Sequence, residues 1–134
     1  MSLYLDASAL LKLYVEEPDS AACDEMVTAD PTWVSARHTE VEVRRNLARL
    51  LQGRALSSAR DQFAVDWNRV SVVELDRVTC GVAADLAEVT GARTLDAFHL
   101  AAAQRAGGGS LPILTYDLRQ AQVARSLGWT VLGS

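Results

Sequence analysis

The chain has 134 residues, of which 49% are hydrophobic and 22% are charged, and its formal net charge at pH 7 is −4. These values suit a single folded domain over residues 1–134 and exclude a disordered chain or a uniformly basic nucleic-acid binder. No apolar stretch approaches the roughly 18–20 residues of a membrane span, and Asp6 comes too early for a secretory signal. We therefore expect a cytoplasmic protein with no membrane partner.

Short apolar runs alternate with amphipathic segments along the chain. The apolar runs predict strands at 2–6, 32–35, 70–75, 112–116 and 129–132. The segments between them predict helices at 8–16, 20–27, 37–52, 57–67, 77–89, 95–106 and 118–127. Gly53 is interpreted as the residue that ends the third helix. The alternation predicts a three-layer α/β/α domain with a central parallel sheet of about five strands.

Four acids lie where a predicted strand gives way to a helix or where a helix begins: Asp6, Glu42, Asp96 and Asp117. Right-handed crossovers place the carboxyl ends of parallel strands along one edge of the sheet. Taken singly, most of these acids are also explained as helix caps or surface charges. Together they predict a carboxylate cluster. Such a cluster suits Mg²⁺, or Mn²⁺ as the alternative, and these ions support phosphodiester hydrolysis.

Asp96 carries most weight among the four. It lies in the segment 94–103 (TLDAFHLAAA), which is apolar on nearly all sides and therefore predicts a buried helix. An acid on a buried helix needs a partner, because burying an unpaired charge is costly. His99, one turn further, is interpreted as a core histidine with satisfied hydrogen bonds, and His38 as a surface residue beside arginines.

Three stretches resemble motifs of a known family. The segments 4–14 (YLDASALLKLY), 94–101 (TLDAFHLA) and 114–117 (LTYD) are similar to the first, third and fourth acidic motifs of PIN-domain ribonucleases, specifically the VapC-type toxins of bacterial toxin–antitoxin pairs. In the second motif an acid precedes valine, with leucine at the fifth position. Glu42 fits this register through Leu47, whereas Glu40 would place Arg45 at the leucine. The resemblance covers the whole chain.

The resemblance implies a PIN-like fold and a Mg²⁺-dependent endoribonuclease. It makes Asp6 and Asp96 the principal metal ligands, with Glu42 and Asp117 completing the acidic pocket. It also implies a homodimer, inhibition by a VapB-type antitoxin, and a structured RNA substrate such as transfer RNA or ribosomal RNA. The cluster of Arg37, Arg44, Arg45 and Arg49 is interpreted either as a solvated helix face or as a set of phosphate contacts.

Other functions fit the sequence less well. A phosphoacceptor domain needs a lysine late in the chain, but Lys12 is the only lysine. A phosphatase of the Asp-x-Asp type fails because Ser8 occupies the second position. A PIN scaffold that binds RNA or protein without cutting remains the alternative, although all four acids are present.

Overall fold

The computed structural model describes residues 2–134, which form a central five-stranded parallel sheet. The strand order is β3-β2-β1-β4-β5, and every neighbouring pair is parallel. The strands are β1 Ser2–Leu5, β2 Thr32–Ala36, β3 Ser71–Val73, β4 Ile113–Leu114 and β5 Val131–Leu132. The predicted α/β class and the parallel sheet are confirmed.

Helices connect the strands and cover both faces of the sheet. They are α1 Ala7–Leu11, α2 Ser20–Thr28, α3 Arg37–Leu50, α4 Gly53–Trp67, α5 Arg77–Thr90, α6 Thr94–Gly107 and α7 Leu118–Ser126, with a 3₁₀ turn at Gly108–Ser110. Within residues 2–134, no helix combines the length and the apolar character that crossing a membrane requires.

Three predicted helix boundaries are wrong. Gly53 does not end the third helix: α3 ends at Leu50, and Gly53, with φ +60°, is the first residue of α4. The extended backbone of Leu51 and Gln52 makes the break, so α4 starts four residues before the predicted Ser57.

The first helix is shorter than predicted because the chain after Leu11 continues as tight turns with hydrogen bonds to carbonyls three residues back.

The strands divide the core into two layers because successive side chains point to opposite faces. Leu3 and Leu5 of β1 pack with α1, α3 and α4 on one face. Tyr4 packs with Leu100 of α6 and with Ile113 of β4 on the other. Leu100 is completely buried, as the apolar segment predicted. Because α6 is fixed against the sheet in this way, its first turn has a defined position at the edge where β1 and β4 end.

We expect Leu47→Ala to lower the free energy of unfolding by about 2–5 kcal/mol, since truncating a buried leucine leaves a cavity. Leu47 is fully buried in the layer that positions α3. Val41→Ala on the same helix, where Val41 is 67% exposed, is the matched control and should change it by about 0.5 kcal/mol or less. Urea titrations of both variants measure this, and equal losses would contradict the packing described.

Candidate active site at the carboxyl edge of the sheet

Asp6 directly follows β1 and is only 4% exposed. Its Oδ1 accepts hydrogen bonds from Ser8 Oγ at 2.6 Å and from the backbone N–H of Ala9 at 3.1 Å, and its Oδ2 accepts one from the Thr115 hydroxyl. The carboxylate therefore caps α1 as well as lying at the predicted edge. Burial raises the pKa of Asp6, and the nearby His99 together with these donors offsets only part of that effect.

The two hydroxyls that hold Asp6 also hold the chain after β4. Ser8 Oγ accepts from the backbone N–H of Tyr116 at 2.9 Å, and Thr115 Oγ1 accepts from that of Asp117 at 3.1 Å. Each hydroxyl thus donates a hydrogen bond to Asp6 and accepts a hydrogen bond from a backbone N–H group. This arrangement ties the end of β1 to the end of β4 and fixes where Asp117 begins the last helix.

Asp117 caps α7: its Oδ1 accepts from the backbone N–H groups of Arg119 at 2.9 Å and Gln120 at 3.4 Å.

Asp96 lies in the first turn of α6, with its side chain 15% exposed and its Oδ2 3.5 Å from Arg93 Nε. Burial raises the pKa of Asp96, and the negative charge of Asp117 raises it further, against a smaller lowering by Arg93. The charges of these two acids therefore act on each other across the edge of the sheet.

Glu42 and Glu40 lie in different surroundings although they are two residues apart. Glu42 Oε1 is 2.8 Å from Nε2 of His99 on α6 and 3.5 Å from Nε2 of His38. Glu40 does not contact these histidines, and its Oε1 lies 3.5 Å from the guanidinium Nη1 of Arg37. This difference favours Glu42, as the motif register does.

His99 links Glu42 to the core. It is 3% exposed, and its Nδ1 is 2.8 Å from the hydroxyl of Tyr4. Because a carboxylate only accepts hydrogen bonds, Nε2 of His99 donates to Glu42, and in a neutral ring Nδ1 then accepts from Tyr4. Burial and the charge of Asp6 raise the pKa of Tyr4 well above its usual value, so Tyr4 keeps its proton for this bond. The predicted core histidine is confirmed.

The interpretation of His38 as a surface residue is wrong. Its side chain is 11% exposed, its ring centre lies 4.2 Å from that of His99, and Nε2 is 3.2 Å from the carbonyl oxygen of Leu95. Burial, followed by the nearby His99, lowers the pKa of His38 to about 4, so it is neutral at pH 7. The spacing places His38 one turn before Glu42 and His99 one turn after Asp96, but the contacts between these residues depend on how α3 packs against α6.

The four acids share a region but do not form a closed set of metal ligands. Across residues 2–134, one group of three or more His, Cys, Asp or Glu side chains has its ligand atoms within 4.8 Å of one another, and it consists of His38, Glu42 and His99. Their charges nevertheless act on common neighbours: Tyr4 responds to Asp6 and Glu42, and Asp96 to Asp117. An oxygen-rich edge with two raised carboxyl pKa values fits a hard divalent cation, which would relieve the excess negative charge.

The arginines of α3 do not act as one set. Arg37 forms a two-pronged contact with Glu74, with Nε 2.9 Å from Oε1, and Arg49 donates to Asn46 at 3.2 Å. Arg44 and Arg45 instead line a groove between α3 and α4. Arg37 and Arg49, which pair with neighbouring side chains, fit the interpretation as a solvated helix face. Arg44 and Arg45, which line the groove, are available to an anionic partner.

Comparison with known proteins identifies the family. Residues 3–126 match the PIN domain. The chain is 34% identical over 131 residues to ribonuclease VapC46 of Mycobacterium tuberculosis, covering 98% of this chain and 96% of that protein. Its fold resembles M. tuberculosis VapC20, a sarcin–ricin loop cleaving toxin (TM-score 0.68, 17% identity, 90% and 93% covered), and a toxin–antitoxin complex from Klebsiella pneumoniae (0.69, 14%, 88% of each). The chain therefore belongs to the PIN domain family and, within it, to the VapC ribonucleases.

Proposed function

We propose that this ribonuclease is the Mg²⁺-dependent toxin of a type II toxin–antitoxin pair, with Mn²⁺ as an alternative ion. The main support for metal dependence is that the pKa values of Asp6 and Asp96 are both raised. Acids whose ionised form is disfavoured in this way are typical of functional sites. The endoribonuclease activity follows from membership of the VapC family.

Each acid has a proposed role in holding the ion, which in turn would contact the RNA phosphate. Asp6, fixed by three hydrogen bonds, is the rigid ligand, and Asp96 is the second principal ligand. Asp117 and Glu42 complete the acidic pocket from α7 and α3. When bound, the divalent ion activates water and stabilises the charge that develops on the phosphate during hydrolysis.

The proposed partners are a structured RNA of the transfer or ribosomal class, a VapB-type antitoxin and a second copy of the chain. All three rest on the family resemblance. The groove that contains Arg44 and Arg45 offers a cationic surface on which an acidic antitoxin segment or an RNA phosphate could bind.

Metal binding should raise the thermal stability of the folded protein. We expect Mg²⁺ at millimolar concentration to raise the melting temperature of the purified wild type, because the ion binds only the folded site. Asp96→Asn should melt a few degrees higher than the wild type without metal, since it removes a carboxylate destabilised by burial and by Asp117. Its Mg²⁺-dependent rise should be smaller.

The matched control for this measurement is Asp85→Asn, which changes an exposed acid on α5. It should keep the wild-type response to Mg²⁺. An equal response in all three proteins would mean that Mg²⁺ acts on the surface at large and would remove the support for this site.

Cleavage should depend on the same acids. We expect Asp6→Asn and Asp96→Asn to lower the rate of RNA cleavage in Mg²⁺ by about 100-fold or more, as the loss of a positioned electrostatic group does in other active sites. The substrate is found first, by mapping new 5′ ends in cellular RNA after induction of the wild type. A wild type that creates no new ends and cuts no RNA in Mg²⁺ would favour the catalytically silent scaffold.

The choice between the two neighbouring glutamates has its own test. Glu42→Gln should lose most of the activity, whereas Glu40→Gln should stay near wild type because Glu40 pairs with Arg37 away from the histidines. Both variants keep side-chain size and differ from the wild type by one charge. The reverse ranking in the same cleavage assay would assign the second acidic motif to Glu40.

A further inference from the structure

We infer that His38, Glu42 and His99 bind a transition-metal ion of the Zn²⁺ type, at a site chemically distinct from the oxygen-rich edge proposed for Mg²⁺. Two imidazole nitrogens and one carboxylate oxygen converge here within 4.8 Å of one another. Imidazole nitrogen suits Zn²⁺, Ni²⁺ and Cu²⁺, whereas Mg²⁺ prefers oxygen. Two histidines and a glutamate with an open fourth position form a known type of zinc ligand set.

Two of the three distances between ligand atoms need little adjustment to accept an ion, and the two histidine nitrogens lie within 4.8 Å of each other. Ligand atoms about 2.0–2.1 Å from a tetrahedral zinc lie roughly 3.3 Å apart. His38 Nε2 and Glu42 Oε1 are already 3.5 Å apart, and His99 Nε2 is 2.8 Å from the same oxygen. An ion would replace the proton shared by Glu42 and His99, and this pair would separate by about half an ångström.

The groups around the ligands hold them as metal-binding histidines are usually held. The Tyr4 oxygen is 2.8 Å from the other ring nitrogen of His99; an ion on Nε2 would shift the ring proton to Nδ1, which would then donate to that oxygen. The ring of His38 lies between those of Phe98 and His99, at centre distances of 5.6 and 4.2 Å. The three ligands come from α3 and α6, whose positions are set by the core.

Binding an ion changes the hydrogen bonding of His38. Nδ1 of His38 is buried and has no hydrogen-bond partner among residues 2–134, while Nε2 is 3.2 Å from the carbonyl oxygen of Leu95. Because a carbonyl only accepts, Nε2 carries the proton of the neutral ring, and an ion bound at Nε2 would move that proton to Nδ1. When Nε2 binds an ion it gives up the contact with Leu95, so we expect a weaker site than a closed structural zinc site.

Zinc binding would compete with the proposed active site. Glu42 belongs to both sets of ligands, and a carboxylate held by zinc between α3 and α6 cannot contribute fully to the Mg²⁺ pocket. Zn²⁺ should therefore inhibit Mg²⁺-supported cleavage. This consequence rests on the proposed function, whereas binding itself does not.

The direct test is calorimetric titration of the metal-free full chain with Zn²⁺. A Cys80→Ser background is used throughout, because Cys80 is an exposed free thiol that could bind zinc by itself. We expect one ion per chain, with an affinity about 10-fold or more lower in His38→Gln. Glu40→Gln, which changes an acid on the same helix outside the group, should bind like the parent. Equal binding by His38→Gln, or no binding by the parent, would overturn the inference.

Cobalt provides a readout that needs no variant. Co²⁺ bound to the parent should give the intense visible absorption of a four-coordinate ion with nitrogen ligands, and Zn²⁺ should remove it. A weak spectrum typical of six-coordinate Co²⁺ would overturn the site even if His38→Gln failed to fold.

Inhibition is then measured as the cleavage rate with and without Zn²⁺ at fixed Mg²⁺, each protein being compared with its own zinc-free rate. The parent should be inhibited more strongly than His38→Gln. If no RNA is cut but one Zn²⁺ binds through His38, the proposed function fails and the zinc site stands. If cleavage occurs without zinc binding, the zinc site alone fails.

Discussion

The buried carboxylate of Asp6 is the constraint on which the rest of the site depends. Burying an ionised acid is costly, and hydrogen-bond donors only partly replace the water that it loses. Ser8 and Thr115 supply two of those donors and, through their acceptor oxygens, fix the backbone that leads to Asp117. One carboxylate therefore organises the ends of β1 and β4. Its raised pKa shows that this organisation leaves the negative charge incompletely compensated.

A second set of polar contacts runs from β1 through α6 to α3. Tyr4 of the strand contacts His99 of α6, and His99 contacts Glu42 of α3. The alternation of side chains along β1 places Tyr4 in one layer and directs its neighbours Leu3 and Leu5 to the other. Two kinds of hydrogen-bond donor thus position the acids. Hydroxyls hold Asp6 at the end of the strand, and an imidazole holds Glu42 between two helices.

Much of this arrangement could be predicted from sequence, because periodicity determines elements and parallel strands share a carboxyl edge. Asp6, Asp96 and Asp117 were located at that edge by their place after strands or at a helix start. The contacts of His38 were not predicted, since they depend on how far α3 rotates towards α6, and local patterns do not report that rotation. The interpretation of Gly53 as the end of α3 is wrong because the extended residues before it, rather than the glycine, end that helix.

The four acids of the predicted cluster are held in different ways. Glu42 differs from the others because its oxygen lies in hydrogen-bonding range of imidazole nitrogen, whereas Asp6 is held by hydroxyl and backbone donors. A histidine beside a carboxylate can serve as a proton donor that steadies the acid or, after losing that proton, as a ligand for a softer ion. The same 2.8 Å contact therefore supports Glu42 as a member of the acidic pocket and offers a way to remove it from that pocket. If the proposed function and the proposed zinc site both hold, a zinc ion that replaces the proton between the two side chains would withdraw Glu42 from the Mg²⁺ pocket.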